Sequence, residues 1–281
     1  MSDLREPTIL CVFAAKGMGK THTTANNEIA HYITPTPTWK GRKVCIFDTN
    51  LEYTDSKLRD KFKVNWRAKP LALKDLAAWT HSPTIEARRI LPLDDKNKIV
   101  TSVDKKVEIL YKILQTFRNG LLVLDDISTY MVNPSSTDVI SAIVSNRHKN
   151  LEICLHYQNF RTVRPVIWAN VGVLRLHNVN ERVELVSNKV SNPECLMIAQ
   201  ALVDYKFKTN KRFYLYVNYQ EDKIYGAFSL RDFWTACYVY IKENNPKVYS
   251  AALKRYGSDA VGEDNAQKYC IKLFQEKYYG N

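Results

Sequence analysis

A glycine-rich segment close to the start of the chain, residues 14–21, has the sequence A-A-K-G-M-G-K-T. It follows the phosphate-binding pattern G-x-x-x-x-G-K-[ST], except that Ala14 stands at the first glycine position. Glycines let such a loop turn tightly and point its backbone N–H groups at phosphate oxygens. In this pattern Lys20 reaches the β- and γ-phosphates, and the hydroxyl of Thr21 binds Mg²⁺.

The segments on either side of this loop have the character that a phosphate loop requires. The run TILCVF (residues 8–13) is apolar, rich in β-branched residues and of strand length, and TTANNEIAHYI (residues 23–33) has helical spacing. Because both flanks fit, we predict a site for ATP and Mg²⁺ rather than a chance G-x-G-K-T in an ordinary turn. The residues predicted to contact the nucleotide are Ala15, Lys16, Gly17, Met18, Gly19, Lys20, Thr21 and His22.

Two carboxylates, Asp125 and Asp126, end the apolar run LLVLDDI (residues 121–127). A buried strand that ends in acids places them at the carboxyl edge of a parallel sheet, where ligands bind. We predict that Asp125 shares Mg²⁺ with Thr21 and that Asp126 polarises the attacking water. The alternative is a strand that runs into a polar turn.

Two further residues are predicted to be catalytic. Gln158 ends the strand-like run ICLHYQ and could sense the γ-phosphate, although a buried glutamine that satisfies a backbone group is an equal alternative. Arg147, just before that strand, is a candidate arginine finger that acts on a neighbouring subunit's site, against the alternative of a surface arginine. The arginines that compete for this role are Arg161, Arg164, Arg175 and Arg182.

The charge balance suits a polyanionic partner, although it could also serve solubility alone. The 281 residues carry a formal net charge of +12, which favours nucleic acid. Basic residues concentrate in KLRDKFKVNWRAK (residues 57–69) and KFKTNKR (residues 206–212), and each cluster could also be an ordinary solvated face. We predict that Lys61, Lys63 and Arg67 contact DNA, with Phe62 and Trp66 as stacking surfaces between the charges.

The cysteines and the hydropathy pattern exclude several classes of protein. Six cysteines without any C-x-x-C pair argue against a zinc site and a disulfide framework and indicate a reducing compartment. No signal peptide is recognisable and no apolar run approaches the length of a membrane span. We therefore expect a soluble, cytoplasmic protein.

Short apolar strands alternate with helical stretches, which is typical of a parallel sheet with helices on both faces. We predict an edge strand at ARRILPL (residues 87–93) and a helix at VDKKVEILYKILQTFRN (residues 103–119) that Gly120 closes. After about residue 181 the pattern changes to a helix, a hairpin (residues 212–228) and terminal helices. The predicted organisation is an ATPase core, residues 1–180, and an α+β extension packed on it, residues 181–281.

The phosphate loop, CIFDTNLEY (residues 45–53), LLVLDD, NRHKNLEICLHYQ (residues 146–158) and VGVLRL together resemble the FtsK–HerA superfamily of DNA-translocating ATPases. The spacing of Asp48, Glu52 and Tyr53 is similar to the HerA branch, and Arg147-His148 with Gln158 is similar to viral genome-packaging ATPases and to zonula-occludens-toxin-like phage assembly ATPases. Such ATPases usually carry Glu at the position of Asp126. The resemblance covers residues 8–180.

The resemblance implies a P-loop NTPase with a RecA-like, mostly parallel central sheet. It also implies an ATP-driven motor that moves viral DNA into a capsid, built as a homo-oligomeric ring (pentamer or hexamer) with ATP at each interface. Capsid or portal-vertex proteins would be its partners, and the host cytoplasm or the virion its location. The alternatives are a filamentous-phage assembly ATPase, which typically carries a membrane span, a small-molecule P-loop kinase, and a nucleotide-gated binding module that does not hydrolyse ATP.

Overall fold

Strands and helices alternate along the chain in the computed structural model, which describes residues 7–94, 96–131 and 137–281. The strands are β1 (Ile9–Phe13), β2 (Lys43–Phe47), β3 (Ala68–Pro70), β4 (Ala87–Ile90), β5 (Gly120–Leu124), β6 (Leu151–Tyr157), β7 (Val171–His177), β8 (Tyr214–Asn218) and β9 (Lys223–Gly226). The helices are α1 (Lys20–Thr24), α2 (Ala30–Ile33), α3 (Leu76–His81), α4 (Val103–Thr116), α5 (Thr137–Val144), α6 (Pro165–Trp168), α7 (Pro193–Phe207), α8 (Leu230–Asn244), α9 (Lys247–Tyr256) and α10 (Ala260–Tyr278). A π-helical turn, Ala25–Ile29, joins α1 to α2.

The chain forms two structural units. Of the described residues, the first contains those within 7–12, 19–158 and 162–171, and the second contains those within 13–18, 159–161 and 172–281. Our sequence-based division into a core and an extension at residue 180 stays a prediction. Among the described residues, no helix combines the length and the apolar character needed to cross a membrane.

In the first unit the strands lie side by side in the order β3-β4-β2-β5-β6-β1. The pairings of β3 with β4, β4 with β2, β2 with β5 and β5 with β6 are all parallel. Every residue of β5 and β6 is buried, as expected for strands covered on both faces. The predicted α/β fold with a mostly parallel sheet flanked by helices is confirmed.

One hydrophobic cluster of this unit packs the helix that follows the phosphate loop against the sheet. Val44, Ile46, Leu121 and Val123 contribute from β2 and β5, and Ile29 contributes from the helical side. Since successive side chains of a strand point to opposite faces of the sheet, these strand residues face the helix and the residues between them face the opposite layer. The cluster fixes the helix relative to the strand ends that carry the site.

The second unit contains the antiparallel strands β7, β8 and β9 and the long helices α7 to α10. The hairpin of β8 and β9 matches the expectation for residues 212–228. A capping box begins α8, because the Ser229 hydroxyl accepts the N–H of Asp232 and the Asp232 carboxylate accepts the N–H of Ser229.

Two local expectations were wrong. β4 is not an edge strand, because β3 pairs with its outer side. Gly120 does not cap α4, which ends at Thr116; it is the first residue of β5, and the left-handed turn before it is made by Asn119 with φ 58°. A Cβ at Gly120 would lie 2.5 Å from the carbonyl oxygen of Lys43, so tight packing is what requires the glycine.

Candidate functional site

The phosphate-binding loop leads from the end of β1 into α1. Gly17 and Gly19 have φ values of 85° and 88°, which residues with a Cβ adopt only at a cost. Ala14 is buried and has no positive φ, so alanine meets the backbone requirement at the first position of the pattern. The loop is tethered at its start, since the Ala15 N–H donates to the carbonyl of Asn178 at 2.9 Å.

Helix α1 starts at Lys20, directly after the left-handed Gly19, and therefore carries the two residues of the pattern that the chemistry needs. The N–H of Thr23 donates to the Gly19 carbonyl at 2.8 Å and closes the first turn. Lys20 and Thr21 lie in this turn. The ring of His22 packs edge-on against Phe62, with their centroids 5.8 Å apart.

The carboxylate of Asp125 lies directly after β5 and is only 3% exposed. Its Oδ1 is 2.9 Å from Nδ1 of His156 on β6, and Nε2 of the same ring is 2.8 Å from the hydroxyl of Thr24 on α1. Burial alone raises the pKa of Asp125, but the hydrogen bond and charge of His156 and the charge of Lys20 outweigh it, so that the pKa lies below the usual value. Asp125 is therefore an ionised carboxylate in a dry setting.

Three side-chain nitrogen groups lie within hydrogen-bonding or ion-pairing distance of the Asp126 carboxylate. Gln158 Nε2 donates to its Oδ1 at 2.8 Å, Lys20 Nζ lies 3.5 Å from the same oxygen, and Asn50 Nδ2 lies 3.4 Å from Oδ2. Asp126 itself has a left-handed backbone with φ 51°, which turns the chain sharply after β5. In this arrangement the Asp126 carboxylate forms an ion pair with Lys20, the residue that the pattern assigns to phosphate binding.

A third strand end, that of β2, contributes Asp48 and Asn50. Asp48 is fully buried and accepts the backbone N–H groups of Glu52 and Tyr53 at 2.8 and 3.1 Å. Burial raises its pKa, although these two hydrogen bonds and the charge of Arg89 oppose the effect. Asp48 thus holds the turn that carries Asn50 to Asp126.

The donor set fits Mg²⁺. A hard cation of this size takes oxygen ligands, and one or two protein oxygens combined with phosphate oxygens are its usual environment. The carboxylate of Asp125 and the hydroxyl of Thr21 are such oxygens, and Asp125 is kept ionised by its neighbours. Among the described residues, no group of three or more His, Cys, Asp or Glu side chains is arranged to hold a metal ion.

Arg147 does not join this group. It is exposed and lies in a 3-10 turn before β6, whereas Gln158 follows the other end of that strand. Seven residues of strand separate the two ends, roughly 20 Å at ~3.3 Å per residue. Among the competing arginines, Arg161 pairs with Glu181 at 2.8 Å and Arg182 with Asp204 at 3.3 Å. A role for Arg147 toward a neighbouring subunit stays a prediction.

The predicted DNA-binding residues form a group that we call the basic triad, Lys61, Lys63 and Arg67. All three are exposed, and within the described part of the chain none of them forms an ion pair. Their neighbours in the same cluster do: Lys57 pairs with Glu52, Arg59 with Asp60 and Lys69 with Glu86. The triad is therefore where the cluster keeps its net positive charge.

The prediction that Phe62 offers a stacking surface is wrong, because its ring is buried. The ring of Trp66 is only partly exposed. Phe62 is 2% exposed and belongs to the hydrophobic core. Trp66 packs against the same core, and its indole N–H donates to the carbonyl of Ala25 at 3.2 Å. Both rings stabilise the segment of residues 57–69, because burying their apolar surface against the core is energetically favourable.

Three polar residues of the site were not predicted: Thr24, Asn50 and His156. His156 had a detectable signal, since it alternates with Gln158 in a strand and must share a face with it. Asn50 follows β2 closely, as Asp126 follows β5. Thr24 carried no signal, because a threonine on a helix acquires its partner only through tertiary packing.

Comparisons with known proteins establish the fold. The genome packaging NTPase B204 from Sulfolobus turreted icosahedral virus 2, solved with AMPPCP, matches with a TM-score of 0.51 at 16% identity, over 80% of this chain and 100% of that one. The same protein with AMP gives 0.50 at 17% identity, over 78% and 96%. The N-terminal domain of zonular occludens toxin from Neisseria meningitidis gives 0.32 at 14% identity, over 62% and 78%. No family model matches the sequence. No curated protein matches it either.

Proposed function

We propose that this chain is an ATP-hydrolysing motor of the FtsK–HerA type that moves DNA, and that its task is to package a viral genome. The observation that carries the proposal is the convergence of Lys20, Asp126 and Gln158 in one hydrogen-bonded group, beside a buried and ionised Asp125. Phosphoryl transfer to water needs a lysine on the phosphates, and two carboxylates and an amide that face them from the carboxyl ends of neighbouring parallel strands.

Each of these side chains has a distinct role in the proposed reaction. Lys20 exchanges the carboxylate of Asp126 for the β- and γ-phosphates when ATP binds. Asp126, released from Lys20, orients and polarises the attacking water, and Gln158 stays hydrogen-bonded to Asp126 and faces the γ-phosphate. Asp125 and Thr21 would hold Mg²⁺, which would supply neutralisation of charge on the phosphate oxygens. Because Asp126 and Gln158 act on charge that develops during transfer, they should raise turnover more than affinity.

DNA as the substrate of the motor rests on two observations. The basic triad is exposed and forms no ion pair with any described residue, and the chain as a whole carries a net charge of +12. The fold is that of a protein described as a genome packaging NTPase, which supports packaging as the purpose of translocation. We expect the triad to bind phosphates without reading sequence, since lysine and arginine on an exposed segment contact the backbone.

The proposed assembly is a homo-oligomeric ring, pentamer or hexamer, in which the arginine finger of one subunit completes the site of the next. Capsid or portal-vertex proteins are its expected partners, and the cytoplasm of the host or the virion its location. A finger supplied in trans accounts for an exposed Arg147 that lies far from the site of its own subunit.

The experiment is the steady-state rate of phosphate release with and without DNA, combined with the native mass of the active species. The proposal predicts hydrolysis that requires Mg²⁺, rises when DNA is added, and belongs to a ring. Hydrolysis that DNA leaves unchanged, with transfer of phosphate to a small acceptor, would indicate a kinase instead. Tight ATP binding without any turnover would indicate a nucleotide-gated binding module.

A further inference from the structure

We propose that His156 is a positioning residue that orients the Asp125 carboxylate for the Mg²⁺–nucleotide complex and ties it to the helix after the phosphate loop. The inference rests on the proposed nucleotide site and adds to it a residue that contacts neither nucleotide nor metal. Its basis is a chain of three buried side chains, Asp125, His156 and Thr24, with separations of 2.9 and 2.8 Å.

The direction of the first hydrogen bond follows from the chemistry of the carboxylate. An ionised carboxylate only accepts, so Nδ1 of His156 carries the hydrogen and donates it to Oδ1 of Asp125. That bond fixes the rotation of the carboxylate about its side-chain torsion. It also leaves Oδ2 as the oxygen that the imidazole does not use.

Burial makes this bond costly to replace. His156 and Thr24 are fully buried and Asp125 is 3% exposed, so water does not substitute readily for a missing partner. A buried acceptor that loses its donor keeps the full desolvation penalty. The carboxylate would then rotate toward whatever donors remain, and the geometry that a divalent cation requires would be disrupted.

The second bond connects the carboxylate to the phosphate loop. Thr24 lies one helical turn after Thr21, the residue predicted to share the metal, and both belong to α1. His156 thereby fixes the position of the end of β5 relative to α1, the helix that carries Lys20 and Thr21. Metal-binding sites commonly depend on such outer hydrogen bonds, and removing one typically lowers metal affinity or activity by about 10–100-fold.

Four variants separate positioning from packing. His156→Phe keeps the ring shape and removes both bonds, whereas Thr24→Val removes only the hydroxyl. His156→Asn retains an N–H near the place of Nδ1 and can still donate to Asp125. His156→Gln places its side-chain amide near the position of Nε2, where it can donate to or accept from the Thr24 hydroxyl.

The readout is Mn²⁺ affinity, measured by electron paramagnetic resonance on the protein with bound ADP, alongside thermal unfolding without nucleotide. We expect His156→Phe to weaken Mn²⁺ binding about 10–100-fold, His156→Asn to recover most of the loss, and His156→Gln to recover little. Thr24→Val should fall between the parent and His156→Phe.

Equal Mn²⁺ affinity in His156→Phe and the parent would overturn the inference. So would equal affinity in His156→Asn and His156→Gln, a comparison that remains available if the phenylalanine variant does not fold. A parent protein that binds ADP and Mn²⁺ while the variants match it would refute only the role of His156. A parent that binds no Mn²⁺–ADP would refute the proposed nucleotide site and the inference with it.

Discussion

Replacing Asp126 by asparagine distinguishes its hydrogen bond with Gln158 from its ion pair with Lys20. The change preserves size and leaves an oxygen that can still accept from Gln158 Nε2, now 2.8 Å from Oδ1. It removes the negative charge that lies 3.5 Å from Lys20 Nζ. Asp126→Asn should therefore fold as the parent does while losing the group that is proposed to polarise water.

The size of each effect follows from the exposure of the ion pair. The side chains of Lys20 and Asp126 are 13% and 19% exposed, and a pair that reaches solvent is worth about 1 kcal/mol or less. Loss of the pair frees Lys20 for phosphate, so ATP should bind as in the parent or up to about fivefold more tightly. Loss of a general base should lower turnover by about 10²–10⁴-fold.

The assay is phosphate release at saturating ATP, together with a fluorescent-nucleotide titration of the same preparations. Asp55→Asn, an exposed aspartate of the same structural unit, is the matched control and should behave as the parent. Turnover in Asp126→Asn within threefold of the parent would refute the role given to Asp126. Weaker ATP binding would refute the idea that Asp126 competes with phosphate for Lys20.

Three other outcomes are expected. Replacing the basic triad by alanine should weaken DNA binding. The slope of the logarithm of the binding constant against the logarithm of the salt concentration should also become less steep, by about 0.9 for each duplex phosphate that the protein no longer neutralises. A matched control replaces three exposed lysines outside the triad, Lys74, Lys98 and Lys105. An unchanged slope would leave the triad as a solvated face. Gly120→Ala should lower the free energy of unfolding by about 1–3 kcal/mol in denaturant titration, because its Cβ would meet the Lys43 carbonyl at 2.5 Å, and parent-like stability would contradict this. Arg147→Ala and Lys20→Ala subunits, each inactive alone, should regain activity when mixed in one ring, and a mixture that co-assembles but stays inactive would exclude Arg147 as the finger.

The parts of the site that follow directly from sequence are those set by the ends of strands. Asp125, Asp126 and Gln158 each follow an apolar run, and parallel strands bring their carboxyl ends to one edge. The phosphate loop is equally local, since its chemistry is contained in eight consecutive residues. At Ala14 the backbone has no positive φ, so alanine satisfies the backbone requirement at that position.

What sequence did not provide depends on contacts between distant segments. His156 gains its role from Asp125 and Thr24, which lie 31 and 132 positions away. Phe62 was expected to offer a stacking face, but its ring is buried against the helix after the phosphate loop, an interaction that no local pattern encodes. A glycine that follows a helical pattern predicts a helix cap. At Gly120 the same pattern marks the first residue of a tightly packed strand, and the local sequence does not distinguish the two.

The central claim, that the loop before α1 and its lysine bind and hydrolyse ATP, is tested most directly by Mg²⁺-dependent phosphate release from the parent and from Lys20→Ala. Lys20 is the first residue of α1, and alanine is a good helix former, so we expect Lys20→Ala to fold, which thermal unfolding checks. The parent should hydrolyse ATP, and folded Lys20→Ala should retain no measurable turnover. Hydrolysis at the parent rate by a folded Lys20→Ala protein would contradict the assignment of the site.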